Sequence, residues 1–317
     1  MNGTKKVVYT LQCNGYAPEL CELTFPLIEG WAKKIGAIFH VITERKWPEA
    51  PPVYEKLQIF NLAQTEYKTA DWHIFFDADT MIHPDFFDVT AALTKDTTCS
   101  NGSDFSPMRF KPDKYFLRDG RYHGKGNWCG IASDWCIDYF RPLDDISIEE
   151  AVSNIYPLQA ELNSGIVTAD HLIDDYTVSR NIARFGLKHV FIPELLQKFN
   201  RGECHLAHQY VYNHLLKRIW MLEVLKHWGV IKPEDEEKEL RSIAESEGMT
   251  PEETDFIIEF PASPLPNGQF VNTDQWHLVR WAKIEEFSKA HAEGREIERI
   301  GGYNAVERGQ VTGDSQQ

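Results

Sequence analysis

Within its first 76 residues the chain alternates three short apolar, β-branched or aromatic runs with two amphipathic stretches, and few folds accept that order. Residues 5–11 (KKVVYTL) alternate in the manner of a strand, and Pro18 to Lys34 carries Leu20, Leu23, Leu27 and Trp31 at helical spacing. Ala37 to Thr43 (AIFHVIT) is a second strand, closed by the proline-rich loop WPEAPP. Val53 to Tyr67 is a second helix, with Tyr54, Leu57, Ala63 and Tyr67 roughly on one side, and the apolar run at Ile74, Phe75 and Phe76 is a third strand. A β-α-β-α-β series predicts an α/β fold with a mostly parallel sheet flanked by helices.

Beyond this point the alternation weakens. Ser100 to Gly130 is glycine-rich, basic and aromatic, and reads as a long functional loop. SDWCIDYF and SIEEAVSNIY suit short helices, Gly165 to Thr168 a short strand, Asp170 to Phe185 a helix ended by Gly186, and Lys188 to Ile192 a further strand. From His208 onwards the chain is mainly helical, and Ala305 to Gln317 is a polar tail expected to be disordered. The expected organisation is an α/β domain over residues 1–212, a helical extension over 213–304 packed on it, and a tail over 305–317.

The chain of 317 residues has no run of 18 apolar residues, so no membrane span is expected. MNGTKKVVYTLQ has no signal-peptide h-region, which points to a cytoplasmic protein. A formal net charge of −15 argues against nucleic acid as a partner, because phosphate backbones demand clustered Lys and Arg. Part of that charge is the run from Lys232 to Asp255, read as a solvated helical face. The 6 cysteines form no C-x-x-C pair, so free thiols are expected.

The third strand runs straight into WHIFFDADTMIHPD (Trp72 to Asp85), which sets Asp77 and Asp79 at its carboxyl end. In open α/β sheets that end is where ligands bind. Residues i and i+2 of an extended segment point the same way, so both carboxylates can face one ligand, and their repulsion asks for a cation or a shared proton. Oxygen ligands select a hard ion, Mg²⁺ or Mn²⁺. A pair of turn-forming aspartates is the alternative for an isolated D-x-D.

The longer pattern YEKLQIFNLAQTEYKTADWHIFFDADTMI resembles the GT-A glycosyltransferases, and most closely the glycogenin-type members of glycosyltransferase family 8. ELNSGIVTA (Glu161 to Ala169) is similar to that family's N-[SA]-G strand, and ECHLAHQYV (Glu203 to Val211) supplies a histidine where GT-A enzymes place their last metal ligand. The resemblance spans about residues 5–212, and the family's closing His-Lys-Pro-Trp is absent.

The resemblance implies a Rossmann-like, mostly parallel mixed sheet with a helical C-terminal extension. It also implies transfer of a sugar from a nucleoside-diphosphate donor, UDP-linked, to a glycan or small-molecule acceptor, with Mn²⁺ or Mg²⁺ as cofactor. Asp77, Asp79 and His208 would bind the metal, with Asp77 alternatively on donor hydroxyls. Lys56 would lie near the phosphates or sugar, Thr10 and Tyr16 would hold the nucleoside, and Asn163 and Gly165 would line the sugar. Asp174 or Asp175 would be the acidic residue of the acceptor side. N-S-G leans towards retention of the anomeric configuration and the Asp-Asp pair towards inversion, with retention slightly favoured. In the loop from Arg118 to Asp138, Trp128, Asp134 and Trp135 suit an acceptor site or lid, since aromatic faces pack on sugar C–H surfaces and carboxylates accept hydroxyl protons.

Two other readings stay open. FFDADT also satisfies the D-x-D-x-T of haloacid-dehalogenase-type phosphatases, in which Asp77 would be the nucleophile. The fold and metal would equally suit a non-catalytic nucleotide-sugar-binding module. The helical C-terminal third matches no motif, and core packing, a homodimer contact or a cover over the acceptor site are its three readings.

Overall fold

The computed structural model describes residues 4–101, 108–119, 127–157, 168–192, 195, 205–208, 214–246, 248–259 and 293. The alternating first third folds as expected. Strands β1 (Lys6–Leu11), β2 (Ala37–Ile42) and β3 (Trp72–Phe76) are separated by helices α1 (Pro18–Lys34) and α2 (Gln58–Thr65). Two-residue β4 (Met81–Ile82) follows, then β5 (Thr97–Ser100), β6 (Met108–Phe110), α3 (Lys114–Asp119) and β7 (Cys129–Ser133). Next come α4 (Ile148–Ser153), β8 (Ile155–Pro157), α5 (Ile173–Phe185), β9 (Lys188–Phe191) and β10 (Leu206–Ala207).

The main sheet runs in the order β2-β1-β3-β7-β5-β9. β1 is parallel to β2 and β3, and β5 is parallel to β9, while β7 is antiparallel to both its neighbours. The fold is therefore α/β with a mostly parallel mixed sheet between helices. Two buried clusters cover its two faces, one with Val7, Tyr9 and Phe75, the other with Val8, Ile74 and Phe76. This is the period-2 alternation of strands buried on both faces.

Two helices depart from the expected pattern. The buried stripe of α1 is Leu20, Thr24, Ile28 and Trp31, with Leu23 and Leu27 half-buried at its edge. A threonine sits in the stripe because its hydroxyl donates to the Leu20 carbonyl and across to the Ala78 carbonyl. The second helix begins as a 3-10 turn over Pro52–Leu57, in which Tyr54, Glu55, Lys56 and Leu57 are all buried. Four consecutive buried residues are incompatible with one amphipathic face. Glu55 is buried because Arg45 Nε (2.9 Å) and the backbone N–H groups of Lys46 and Trp47 (2.9 Å each) donate to its carboxylate.

The expected long loop from Ser100 to Gly130 is corrected in its middle, which holds β6 and α3, and at its end. Cys129–Ser133 is the buried antiparallel strand at the centre of the sheet, paired Phe76 to Cys129 and Trp72 to Ser133. The helix ending at Gly186 is as expected, with that glycine at φ 63°. Asp170–Phe185 opens as a 3-10 turn, and α5 proper starts at Ile173.

The chain divides into two compact units, with the change at His214 and Leu215. The second unit contains α6 (His214–His227) from Leu215 on, α7 (Pro233–Ser246) and α8 (Pro251–Glu259). The acidic run is α7 and its surroundings. Leu240, Ile243 and Ala244 are its buried apolar residues, and the buried Glu236 is ion-paired with Lys226. Among the described residues no helix is long and apolar enough to cross a membrane. Cys13, Cys21, Cys99, Cys129 and Cys136 are buried free thiols. The strand expected at Gly165 to Thr168 and the tail from Ala305 lie outside the described residues, apart from Thr168.

Candidate metal centre

β3 ends at Phe76, and the next four residues turn. The Thr80 N–H donates to the Asp77 carbonyl (3.0 Å), and the Asp77 N–H donates to the Trp128 carbonyl (2.8 Å). The Thr24 hydroxyl of α1 fixes the carbonyl of Ala78 between the two aspartates. The carboxylates thus converge through a turn rather than along an extended segment.

Directly after the turn, β4 pairs antiparallel with β10, Met81 opposite Ala207 and Ile82 opposite Leu206. That register brings His208 beside the turn, although nearly 130 residues of chain separate it from Asp79. His208 Nε2 lies 3.1 Å from Asp79 Oδ1 and 3.9 Å from Asp77 Oδ2. Ligand atoms of Asp77, Asp79 and His208 all lie within 4.8 Å of one another. Octahedral ions with bonds of about 2.1 Å hold neighbouring ligands about 3 Å apart, so modest closure satisfies one. Two carboxylates and an imidazole around one point form a site able to hold a divalent metal.

The electrostatics ask for such a charge. Burial raises the pKa of Asp77, Lys56 opposes that rise, and the neighbouring Asp79 adds to it. Lys56, only 1% exposed, donates to Asp77 Oδ1 (3.1 Å), Asp174 Oδ2 (2.7 Å) and the Asn127 carbonyl (3.0 Å). Burial works against its charge, but Asp174, then Asp77 and Asp175, outweigh it and hold its pKa above the usual lysine value.

Asp174 and Asp175 open α5, where helix-terminal N–H groups favour negative charge. Asp174 is buried against Lys56, whereas Asp175 is half-buried, its pKa pushed well up by burial and then by Asp174.

The other expected site residues divide. The hydroxyl of Tyr16 donates to Asp79 Oδ2 (3.1 Å), and its ring meets His214 edge-on at 5.4 Å between centroids. Burial, then the charge of Asp79, raises the Tyr16 pKa, so the phenol keeps its proton. Trp128 stacks on the His208 ring, centroids 5.1 Å apart and planes within 7°. Thr10 is fully buried near the end of β1, and its hydroxyl has no hydrogen-bond partner among the described residues. Asn163 and Gly165 lie outside the described residues, as do 120–126 of the expected lid.

Asp134 and Trp135 are not in this cluster. The antiparallel register of β7 carries them to the end of the sheet away from Asp77, roughly 15–20 Å along the strand. There Asp134 pairs with Lys95 (3.0 Å), itself bound to Asp71 (2.6 Å), and Trp135 is 70% exposed. The lid expected over Arg118 to Asp138 therefore cannot reach the metal centre through these two residues.

Two contributors carried no sequence signal. Thr24 reads as a polar interruption of a helix, and Asn127 acts through its backbone carbonyl, which any residue could supply.

No family model matches the chain, and no curated protein matches it. Among solved structures, it is similar to the crystal structure of a glycosyltransferase involved in the glycosylation of the major capsid of PBCV-1. That similarity stands at 11% sequence identity and a TM-score of 0.40, covering 69% of this chain and 99% of the other.

Proposed function

We propose that the chain is a metal-dependent glycosyltransferase that moves a sugar from a UDP-linked donor to a hydroxyl of a glycan or small-molecule acceptor. The observation that carries this reading is the meeting of Asp77, Asp79 and His208 at the carboxyl end of β3, with Lys56 buried behind Asp77. The resemblance of the DAD segment and its upstream helix to glycogenin-type enzymes supports the choice of donor.

Mn²⁺ or Mg²⁺ bound there would neutralise the negative charge that develops on a departing nucleoside diphosphate. Asp77, Asp79 and His208 would hold the ion, while Lys56 fixes one oxygen of Asp77. Thr10 would face the nucleoside, and Asn163 and Gly165 keep the donor-sugar role that N-S-G implies. Of the two acidic residues on α5, Asp174 is engaged by Lys56, so Asp175 is the one assigned to the acceptor side. Burial and then the neighbouring Asp174 raise its pKa, the direction that suits a carboxyl group taking up a proton.

The phosphatase reading asks for the motif to end the first strand of the chain, whereas β3 follows β1 and β2. No observation favours it over sugar transfer.

A ligand that binds only the folded state raises its apparent stability. UDP-, GDP- and dTDP-sugars, each with Mn²⁺, Mg²⁺ or EDTA, are therefore scored by thermal unfolding. A metal-dependent rise with a UDP-sugar, abolished in Asp79→Ala, is expected. No shift with any sugar nucleotide, or an unchanged shift in Asp79→Ala, would refute the proposal.

A further inference from the structure

The oxygens of the two aspartates are divided in the same way. Asp77 gives Oδ1 to the Lys56 ammonium (3.1 Å) and turns Oδ2 towards His208 Nε2 (3.9 Å). Asp79 gives Oδ2 to the Tyr16 hydroxyl (3.1 Å) and turns Oδ1 towards His208 Nε2 (3.1 Å). In each carboxylate one oxygen accepts from a protein donor and the other lies on the side of the third ligand. The imidazole is held in turn by Trp128, whose indole lies parallel to it.

We infer that Tyr16 and Trp128 are positioning residues of the metal centre: the Tyr16 hydroxyl orients Asp79 and the Trp128 indole orients His208, so that one oxygen and one nitrogen are presented to the ion in advance. This deepens the metal-dependent reading above and rests on it. It gives two residues a role besides the expected ones: Tyr16 acts on Asp79 through its hydroxyl, and Trp128 acts on the His208 ring.

The chemistry favours the arrangement. A free carboxylate rotates and can offer either oxygen or both, and a free imidazole can swing away. Fixing these rotors removes an ordering cost from ion binding, and removing such partners weakens metal affinity by about 10–100-fold in known sites. Tyr16 is 37% exposed, so its replacement by phenylalanine deletes one hydroxyl without opening a core cavity.

The test is titration of the full chain with Mn²⁺ alone, read by calorimetry or by the electron paramagnetic resonance signal of free Mn²⁺. The proteins compared are wild type, Asp79→Ala, Tyr16→Phe, Trp128→Leu and Trp128→Phe. Tyr16→Phe is expected to weaken Mn²⁺ binding by about 10–100-fold while the metal-free protein still unfolds in one cooperative transition. Trp128→Leu should weaken binding comparably, and Trp128→Phe, which keeps an aromatic face, should recover most of it. Wild-type Mn²⁺ affinity in Tyr16→Phe, or a Trp128→Phe no better than Trp128→Leu, overturns the inference while leaving the metal centre standing. No Mn²⁺ binding by the wild type, or equal binding by Asp79→Ala, removes the metal centre and the inference together.

Discussion

Lys56 directs its three ammonium protons at acceptors inside the protein: Asp77, Asp174 and the Asn127 carbonyl. Substituting Lys56→Met keeps the length of the side chain and leaves two carboxylates without their cation. Breaking such a buried pair destabilises by about 3–5 kcal/mol, and urea unfolding should show a loss of that size. The exposed Arg241, paired with Asp255 at 2.9 Å, is the control, and Arg241→Met should leave the urea midpoint unchanged. At this scale the sequence spoke unevenly. Asp77 and Asp79 stood out because two charges directly after an apolar run need an explanation. Lys56 did not, since a lysine in an amphipathic segment is ordinarily solvated, and only the resemblance singled it out. The ties from Tyr16 to Asp79 and from Trp128 to His208 depend on long-range packing that no local pattern encodes.

Among the elements, β7 has the most consequence for the site and was the least legible. CGIAS is short, contains a glycine and a serine, and is buried on both faces, so it shows no alternation. Its neighbours on the sequence, rich in glycine and charge, made the whole stretch look like a loop. Gly130 shows why the residue is small there. A Cβ at that position would lie 2.8 Å from Asn127 Oδ1 and 3.0 Å from the Tyr139 ring, and the Tyr139 hydroxyl already donates to Asn127 Oδ1 (3.1 Å). Gly130→Ala must push Asn127, whose carbonyl holds Lys56. Overpacking of this kind costs about 1–3 kcal/mol, to be measured as a lowered urea midpoint. By contrast β1, α1, β2 and β3 were legible to within a residue or two, because each repeats its period over enough positions. The pairing of β4 with β10 was not, since two-residue strands carry no period at all, and that pairing is what delivers His208.

At the scale of the whole molecule, the alternation of the first third fixes a parallel arrangement in which every forward strand ends on the same side. The antiparallel β7 starts on that side, after Trp128, and carries the chain to the opposite end of the sheet at Asp134, which is why the lid residues were separated. The parts of the expected site that meet do so because the turn after β3, the start of α5 and the segment after β10 converge on one edge of the sheet. In the proposed function this edge holds a divalent ion to cleave a sugar from a nucleoside diphosphate. Release of UDP from a panel of UDP-sugars, with water as acceptor of last resort, measures it most directly. Release with Mn²⁺ or Mg²⁺ from at least one donor, lost with EDTA and in Asp79→Ala, is the predicted result. Release indifferent to EDTA and to Asp79→Ala would contradict the account, as would orthophosphate liberated from simple phosphomonoesters in place of UDP.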